Sequence, residues 1–203
     1  MTAALRLAAG SRGEVVHARV VDGLGNVRVR VLDPDADLDT VHGWVTGPGT
    51  RFWGLGDLPR DELRDLYAYV DSLPTHHAFV VTCDDEPAAL LQTYEPAHDP
   101  VGDTYDVLPG DVGVHLLVGR AGRAGFATRL LGALVEFLFA QPGARRIVVE
   151  PDVRNDRVLA RMRRLGFVVG PVVRLPHKDA QLAFLDRPTT SPDTQETTCP
   201  PSP

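Results

Sequence analysis

The feature that most constrains this chain is an ordered run of patterns between Asp111 and Phe167. Apolar residues run from Val112 to Val118, with His115 among them, and close on Gly119. A loop with glycines at Gly119, Gly122 and Gly125 leads into an apolar helical pattern, Phe126–Ala140. A short strand pattern, Ile147–Val149, stops at Glu150-Pro151-Asp152, and a basic helical pattern from Asn155 stops at Gly166-Phe167. Strand, helix, strand in that order predicts one right-handed parallel crossover. A glycine-rich turn at a helix start leaves backbone N–H groups free at the positive end of the helix dipole, which suits an anion. The glycine spacing is neither the G-x-G-x-x-G nor the Walker pattern, so two readings stand: a phosphate cradle of another kind, or a tight turn.

Around this run the chain predicts strands at Val15–Val21 and Val27–Leu32 joined by a turn at Asp22–Asn26. Helices follow at Asp37–Val45 and Arg60–Ser72, then a hairpin of Ala78–Cys83 and Pro87–Thr93. Residues 95–110 form a long polar connection, functional or mobile by its length. Strands at Val168–Leu175 and Ala180–Leu185 close the domain. The expected architecture is a three-layer α/β fold: a mixed, mostly antiparallel sheet with one parallel β-α-β crossover and helices on both faces. Residues 1–13 are expected to be a flexible arm, 14–186 a single domain, and 187–203, rich in Pro and Thr, a disordered tail.

The net charge of −6 argues against a dedicated nucleic-acid binder, so phosphate recognition falls to a few local arginines. Among 21 basic residues the only lysine is Lys178. Two cysteines, Cys83 and Cys199, do not make a disulfide framework, and no C-x-x-C or H-E-x-x-H pattern marks a metal, so none is expected. With no long apolar run, the expectation is a cytoplasmic protein with no membrane and no nucleic-acid partner.

Three residues have two readings each. His115, alone in an apolar strand, is either a buried histidine held by one hydrogen bond or a group at the C-terminal end of a parallel strand, where open α/β sheets place ligands. Asp152 is either a helix cap or a second group at the same place. Trp53 is either core or a wall of an acceptor pocket.

The same stretch resembles the acyl-CoA-binding core of the GNAT N-acetyltransferases. In register with that family's pyrophosphate loop, Gly125 and Ala127 match, while Gly122 stands where Gln or Arg is usual. Asn155, Gly166 and Phe167 match a later motif, but Met162 stands where the family often has a tyrosine general acid. The blocks FWGLGD (52–57), HAFVV (77–81), 90–119, AGFATRLL (124–131), RRIVVEPDVRN (145–155) and LPHKDAQLA (175–183) together resemble the siderophore-biosynthesis acyltransferase branch.

The resemblance implies an acyl-CoA-dependent N-acyltransferase that converts an N-hydroxylated amine, N-hydroxycadaverine or N-hydroxylysine, to a hydroxamate. The co-substrate is acetyl-CoA or succinyl-CoA, and the protein a monomer or homodimer. The histidine of Asp111-Val112-Gly113-Val114-His115 and the aspartate of Glu150-Pro151-Asp152 are then the catalytic pair, one of them the base. The backbone of Arg123, Ala124, Gly125, Phe126 and Ala127 would hold the pyrophosphate, with Arg120, Asn155 and Arg157 adding contacts, and Leu117 and Val118 would face the thioester arm. Tyr94 and Glu95, with Trp53, would lie beside the acceptor. An aminoglycoside-type N-acetyltransferase and a catalytically silent CoA-binding module are the competing readings.

Overall fold

The structure, a computed structural model, describes residues 3–47, 50–120 and 124–188. Among them lies an eight-stranded sheet with strand order β1-β2-β3-β4-β5-β6-β8-β7. The strands are β1 (Val15–Val21), β2 (Gly25–Val31), β3 (His76–Cys83), β4 (Glu86–Tyr94), β5 (Asp111–Val118), β6 (Arg146–Val149), β7 (Val168–Leu175) and β8 (Lys178–Asp186). Only β5 and β6 pair in parallel. The connection between them is α3 (Phe126–Ala140), which makes the expected crossover. Helices α1 (Leu38–Val45) and α2 (Arg60–Ser72) precede the β3–β4 hairpin, and α4 (Asp156–Arg164) follows β6.

Alternation along β3 shows why the sheet needs cover on both faces. Phe79 and Val81 join Val29, Leu91 and Val112 in a core capped by Leu130, Leu134 and Phe137 of α3, with Met162 and Leu165 packed at its border. Ala78 and Val80 point the other way, onto Val41 and Val45 of α1 and Leu63 and Tyr67 of α2. The result is the three-layer α/β arrangement, mostly antiparallel, that the sequence predicts. Predicted strand and helix bounds agree for β1, α2, α3 and β7 and differ by one or two residues elsewhere.

Two segments differ from expectation. The supposed N-terminal arm is packed: Leu7 is buried in the main core, the Arg6 N–H donates to the Pro142 carbonyl at 2.9 Å, and the Ala8 N–H to Gln141 Oε1 at 2.8 Å. The long 95–110 connection is folded into two 3-10 turns, Pro96–His98 and Pro100–Thr104, with Val101 fully buried. Its end is tied to Asp111, whose carboxylate accepts from the Tyr105 hydroxyl and the Leu108 N–H, each at 3.0 Å. Arg146 of β6 grips the same carboxylate with two bonds of 2.7 Å. Of the expected tail, the Arg187 N–H still donates to the Arg145 carbonyl at 2.7 Å, and 189–203 lie outside the described residues.

β5 has strand partners on both sides for only part of its length. It pairs with β4 from Gly113 to Val118. It pairs with β6 only at Asp111, Val112 and Gly113. Beyond Gly113, β6 turns away and the following loop pairs with β8 through Asp152 and Ala180. The edge Val114–Val118 is left open.

Asp111 therefore locks the start of that opening. Asp111→Ala strands the half-buried Arg146 guanidinium and frees the 95–110 segment, and since breaking a fully buried pair from one side costs about 3–5 kcal/mol, the loss here falls at or below the bottom of that range. Urea unfolding of the variant against the wild type measures this loss.

Candidate active site

The opening between β5 and β6 is the floor of a cleft of about 1140 Å³ that runs from the start of α3 to the turn between β7 and β8. Single-ligand pockets are roughly 300–1,000 Å³, so this one has room for two reactants.

At one end stands the N-terminus of α3. Gly125 is its cap, in the left-handed region at φ 83°, with no side-chain cap and no acidic residue in the first turn. The N–H groups of Phe126, Ala127 and Thr128 have no acceptor outside the helix among the described residues, and they line the cleft with Ala124. Arg120, Asn155 and Arg157 line it too, and so do Leu117 and Val118 on the open edge of β5. Asn155 also caps α4, its side-chain oxygen accepting from the Val158 N–H at 3.3 Å. Gly119 is required by contact: a Cβ there would lie 2.2 Å from the Trp44 indole, which forms part of the wall. Arg123 and Gly122 lie outside the described residues. The helix end and the arginines suit a polyphosphate, and the open strand edge suits the amide-bearing arm of CoA. Met162 contributes a thioether to the wall, where a tyrosine would have offered a proton.

At the other end is a network of ionisable groups. His115 Nε2 bonds to Glu150 Oε1. Glu150 follows the last residue of β6 and is only 3% exposed. Its second oxygen accepts from the Tyr94 hydroxyl at 2.9 Å, and Lys178 Nζ lies 3.6 Å from the first. Burial alone would raise the Glu150 pKa, but the charge and hydrogen bond of His115, then Lys178 and Tyr94, outweigh it and hold the group at about 2. Tyr94 is buried under His115, ring centroids 5.0 Å apart, and Trp53 meets the His115 ring edge-on at 6.3 Å. Gly113 makes room for this: a Cβ there would fall 2.2 Å from the Tyr94 ring. His76 faces Asp99 at 3.7 Å on the β4 side, and His177 faces the cleft from the β7–β8 turn.

The structure thus brings together His115, Tyr94 and Trp53, three of the residues named from the sequence. Asp152 borders the cleft, but its carboxylate is occupied. Arg154 Nε and NH2 donate to its two oxygens at 2.9 and 2.6 Å, and the Arg154 N–H donates at 2.8 Å. Those bonds hold it at about 2. Nor is it the cap of α4, which is Asn155. Glu95 is not among the cleft residues; the chain turns at Pro96, and Glu95 faces His98 at 3.9 Å. Two members of the network were not singled out from sequence: Glu150, overshadowed by Asp152 in the same motif, and Lys178, whose signal was being the lone lysine.

Comparison with known proteins agrees with this geometry. Residues 33–175 match the family model described as an acetyltransferase (GNAT) domain. The chain is 30% identical over 165 residues to the N(6)-hydroxylysine O-acetyltransferase of Escherichia coli, covering 78% of this chain and 51% of that protein. It is 29% identical over 131 residues to the lysine N-acyltransferase MbtK of Mycobacterium sp. (strain MCS), covering 63% and 53%. The match therefore spans about half the length of these two relatives. It is 25% identical to the aminoglycoside N(6')-acetyltransferase type 1 of Klebsiella pneumoniae, covering 76% and 80%. Among solved structures, an uncharacterised protein from Bacillus halodurans superimposes with a TM-score of 0.77 at 22% identity, covering 87% and 92%. AAC(6')-Ib in complex with paromomycin and acetyl-CoA does so at 0.69 and 24%, covering 79% and 93%. No helix among the described residues is long and apolar enough to cross a membrane.

The depressed Glu150 carboxyl gives a signed pH dependence. Its stabilisation is complete above the ordinary value of 4.5 and is lost as pH falls through about 2. Its contribution is at most about 3 kcal/mol. The stability advantage of the wild type over Glu150→Gln should shrink as chemical unfolding is repeated from pH 5 to pH 2.

Proposed function

The chain belongs to the GNAT acetyltransferase family, and we propose from that premise that it transfers an acyl group from acetyl-CoA or succinyl-CoA to the nitrogen of an N-hydroxylated amine. N-hydroxylysine and N-hydroxycadaverine are the acceptors, and the product is a hydroxamate of the kind siderophores use to bind iron. One observation carries the reading. Each carboxylate lining the cleft, Asp99, Glu150 and Asp152, already faces a cationic or titratable partner of the protein itself: His76, then His115 with Lys178, then Arg154. Among the described residues no cleft carboxylate is left to receive a substrate ammonium. A polycationic aminoglycoside would find no free counter-charge for its reacting ammonium here, whereas the hydroxylamine nitrogen of an N-hydroxyamine is neutral near physiological pH and needs none. The similarity to a hydroxylysine-acetylating relative supports the same choice.

In this mechanism the pyrophosphate lies at the start of α3, with Arg120 and Arg157 beside it, and the thioester arm lies along Leu117 and Val118. The acceptor nitrogen attacks the thioester carbonyl, and a backbone N–H of the open β5 edge near Leu117 steadies the oxyanion. A C–N bond forms, the C–S bond breaks, and the nitrogen gives its proton to His115. The sulfur leaves as thiolate, so the thioether of Met162 in place of a proton donor is no obstacle. Trp53 and Tyr94 flank the acceptor.

The test is release of CoA thiol with acetyl-CoA or succinyl-CoA against N-hydroxylysine, N-hydroxycadaverine, lysine, cadaverine and an aminoglycoside. The expected result is turnover on an N-hydroxyamine well above its parent amine, with a product that gives a coloured ferric complex. Turnover on the aminoglycoside alone would overturn the acceptor assignment. CoA binding without turnover on any amine would leave a silent module. His115→Ala should lower kcat by about 10²–10⁴-fold while CoA affinity by calorimetry stays unchanged.

A further inference from the structure

We propose that Glu150 is a positioning residue that fixes His115 in the Nε2–H tautomer, so that Nδ1 is the base, and that Lys178 sets how readily the imidazolium then gives its proton up. This deepens the acyl-transfer reading above and rests on it.

The geometry leaves little choice of tautomer. An ionised carboxylate only accepts hydrogen bonds, so the nitrogen bonded to Glu150 must carry the hydrogen. That nitrogen is Nε2. The lone pair of the neutral ring then sits on Nδ1, which has no protein partner among the described residues. His115 borders the cleft and is about one-third exposed, so Nδ1 is the atom left for the acceptor. Glu150 cannot rotate away, because its other oxygen is held by the Tyr94 hydroxyl. Tyr94 is in turn seated over Gly113, where any side chain would collide with the ring. The glycine and histidine of the D-x-G-x-H motif thus act on one another through Tyr94 and Glu150, and its aspartate anchors Arg146.

Other charged and titratable groups face His115 from every side. Glu150 and Lys178 lie towards β8, His177 lies on the β7–β8 turn, and Asp99, with its partner His76, lies towards β4. Tyr94 stays protonated, since burial and then the Glu150 charge push its pKa up. When Nδ1 takes the proton of the attacking nitrogen, the imidazolium is stabilised by Glu150 and opposed by Lys178. The proton then passes to the CoA thiolate or to solvent, which restores the base for the next turnover. Asp152 has no part in this, because Arg154 and its own turn occupy both oxygens.

Two measurements on the whole protein test the proposal. The first needs no acceptor. Nitrogen-15 shifts of His115 should show Nε2 protonated and Nδ1 bare at slightly alkaline pH, unchanged by Asp152→Asn and scrambled by Glu150→Gln. A bare Nε2, or both nitrogens protonated there, would overturn it. The second is the pH profile of kcat/KM. Glu150→Gln should lower kcat by about 10²-fold or more, with CoA affinity retained and the acid limb displaced to lower pH. Lys178→Met should displace that limb to higher pH. Limbs that stay in place or move together would sink the idea. Should Glu150→Gln yield no folded protein, the wild-type tautomer and the Lys178→Met limb decide. Absence of turnover on every N-hydroxyamine would fault the acceptor assignment and leave the tautomer result standing.

Discussion

The candidate site depends on two parallel strands that stay together for three residues and then part. β5 and β6 pair at Asp111, Val112 and Gly113. The parting is built on both sides. Arg146 clamps Asp111 and holds the strands together at their start. At their ends β6 runs out at Val149, and the Glu150-Pro151-Asp152 turn is stitched to β8 instead: the Gln181 N–H donates to the Pro151 carbonyl, and the Val153 N–H to the Asp179 carbonyl. Backbone groups buried without partners are costly, so an open strand edge inside a sheet persists only where water or a ligand takes the missing strand's place. The edge Val114–Val118 is therefore open to water or to a ligand.

The buried carboxylate at the apex of that wedge follows from the same geometry. Glu150 is the first residue past β6 and is carried into the interior beside Tyr94. A carboxylate at such a depth must be compensated or neutral. Here compensation comes from three elements: Tyr94 of β4, His115 of β5 and Lys178 of β8. A site that draws one group from each of three strands has its geometry fixed by the sheet, which is firmer than loops could make it.

The layers were legible in the sequence because periodicity carries them. The bounds of α2 and α3 follow from apolar spacing and from Gly125 and Pro74 as punctuation. His115 was visible because a polar residue in an apolar strand needs a reason. What escaped was pairing at a distance. Nothing in the spacing of His115 and Glu150, 35 residues apart, says that they touch. The Leu7 arm looked loose because its partner, Gln141, lies 133 residues away from Ala8. The pairing of the Asp152 carboxylate has a local cause that the sequence does contain: an arginine two residues on, able to close a bidentate pair within the turn.

The two ends of the cleft obey opposite electrostatic rules, and the contrast would let an acidic chain take the anionic co-substrate proposed for it. The carboxylates at the acceptor end are matched within the protein. At the other end Arg120, Arg157 and Arg161 line the cleft with no carboxylate within ion-pair distance among the described residues. Burial lowers the Arg161 pKa, followed by repulsion from Arg157 and Arg164. Like charges gathered without counter-ions destabilise a fold unless a ligand neutralises them. A polyphosphate would supply that neutralisation, and the open N-terminus of α3 points its dipole at the same place. In the proposed reaction the cost of leaving these arginines unmatched in the free protein would be returned as affinity for the phosphates. At the acceptor end no cleft carboxylate among the described residues is left unmatched, so in the proposed reaction discrimination falls to shape and to the nucleophilicity of the neutral hydroxylamine nitrogen.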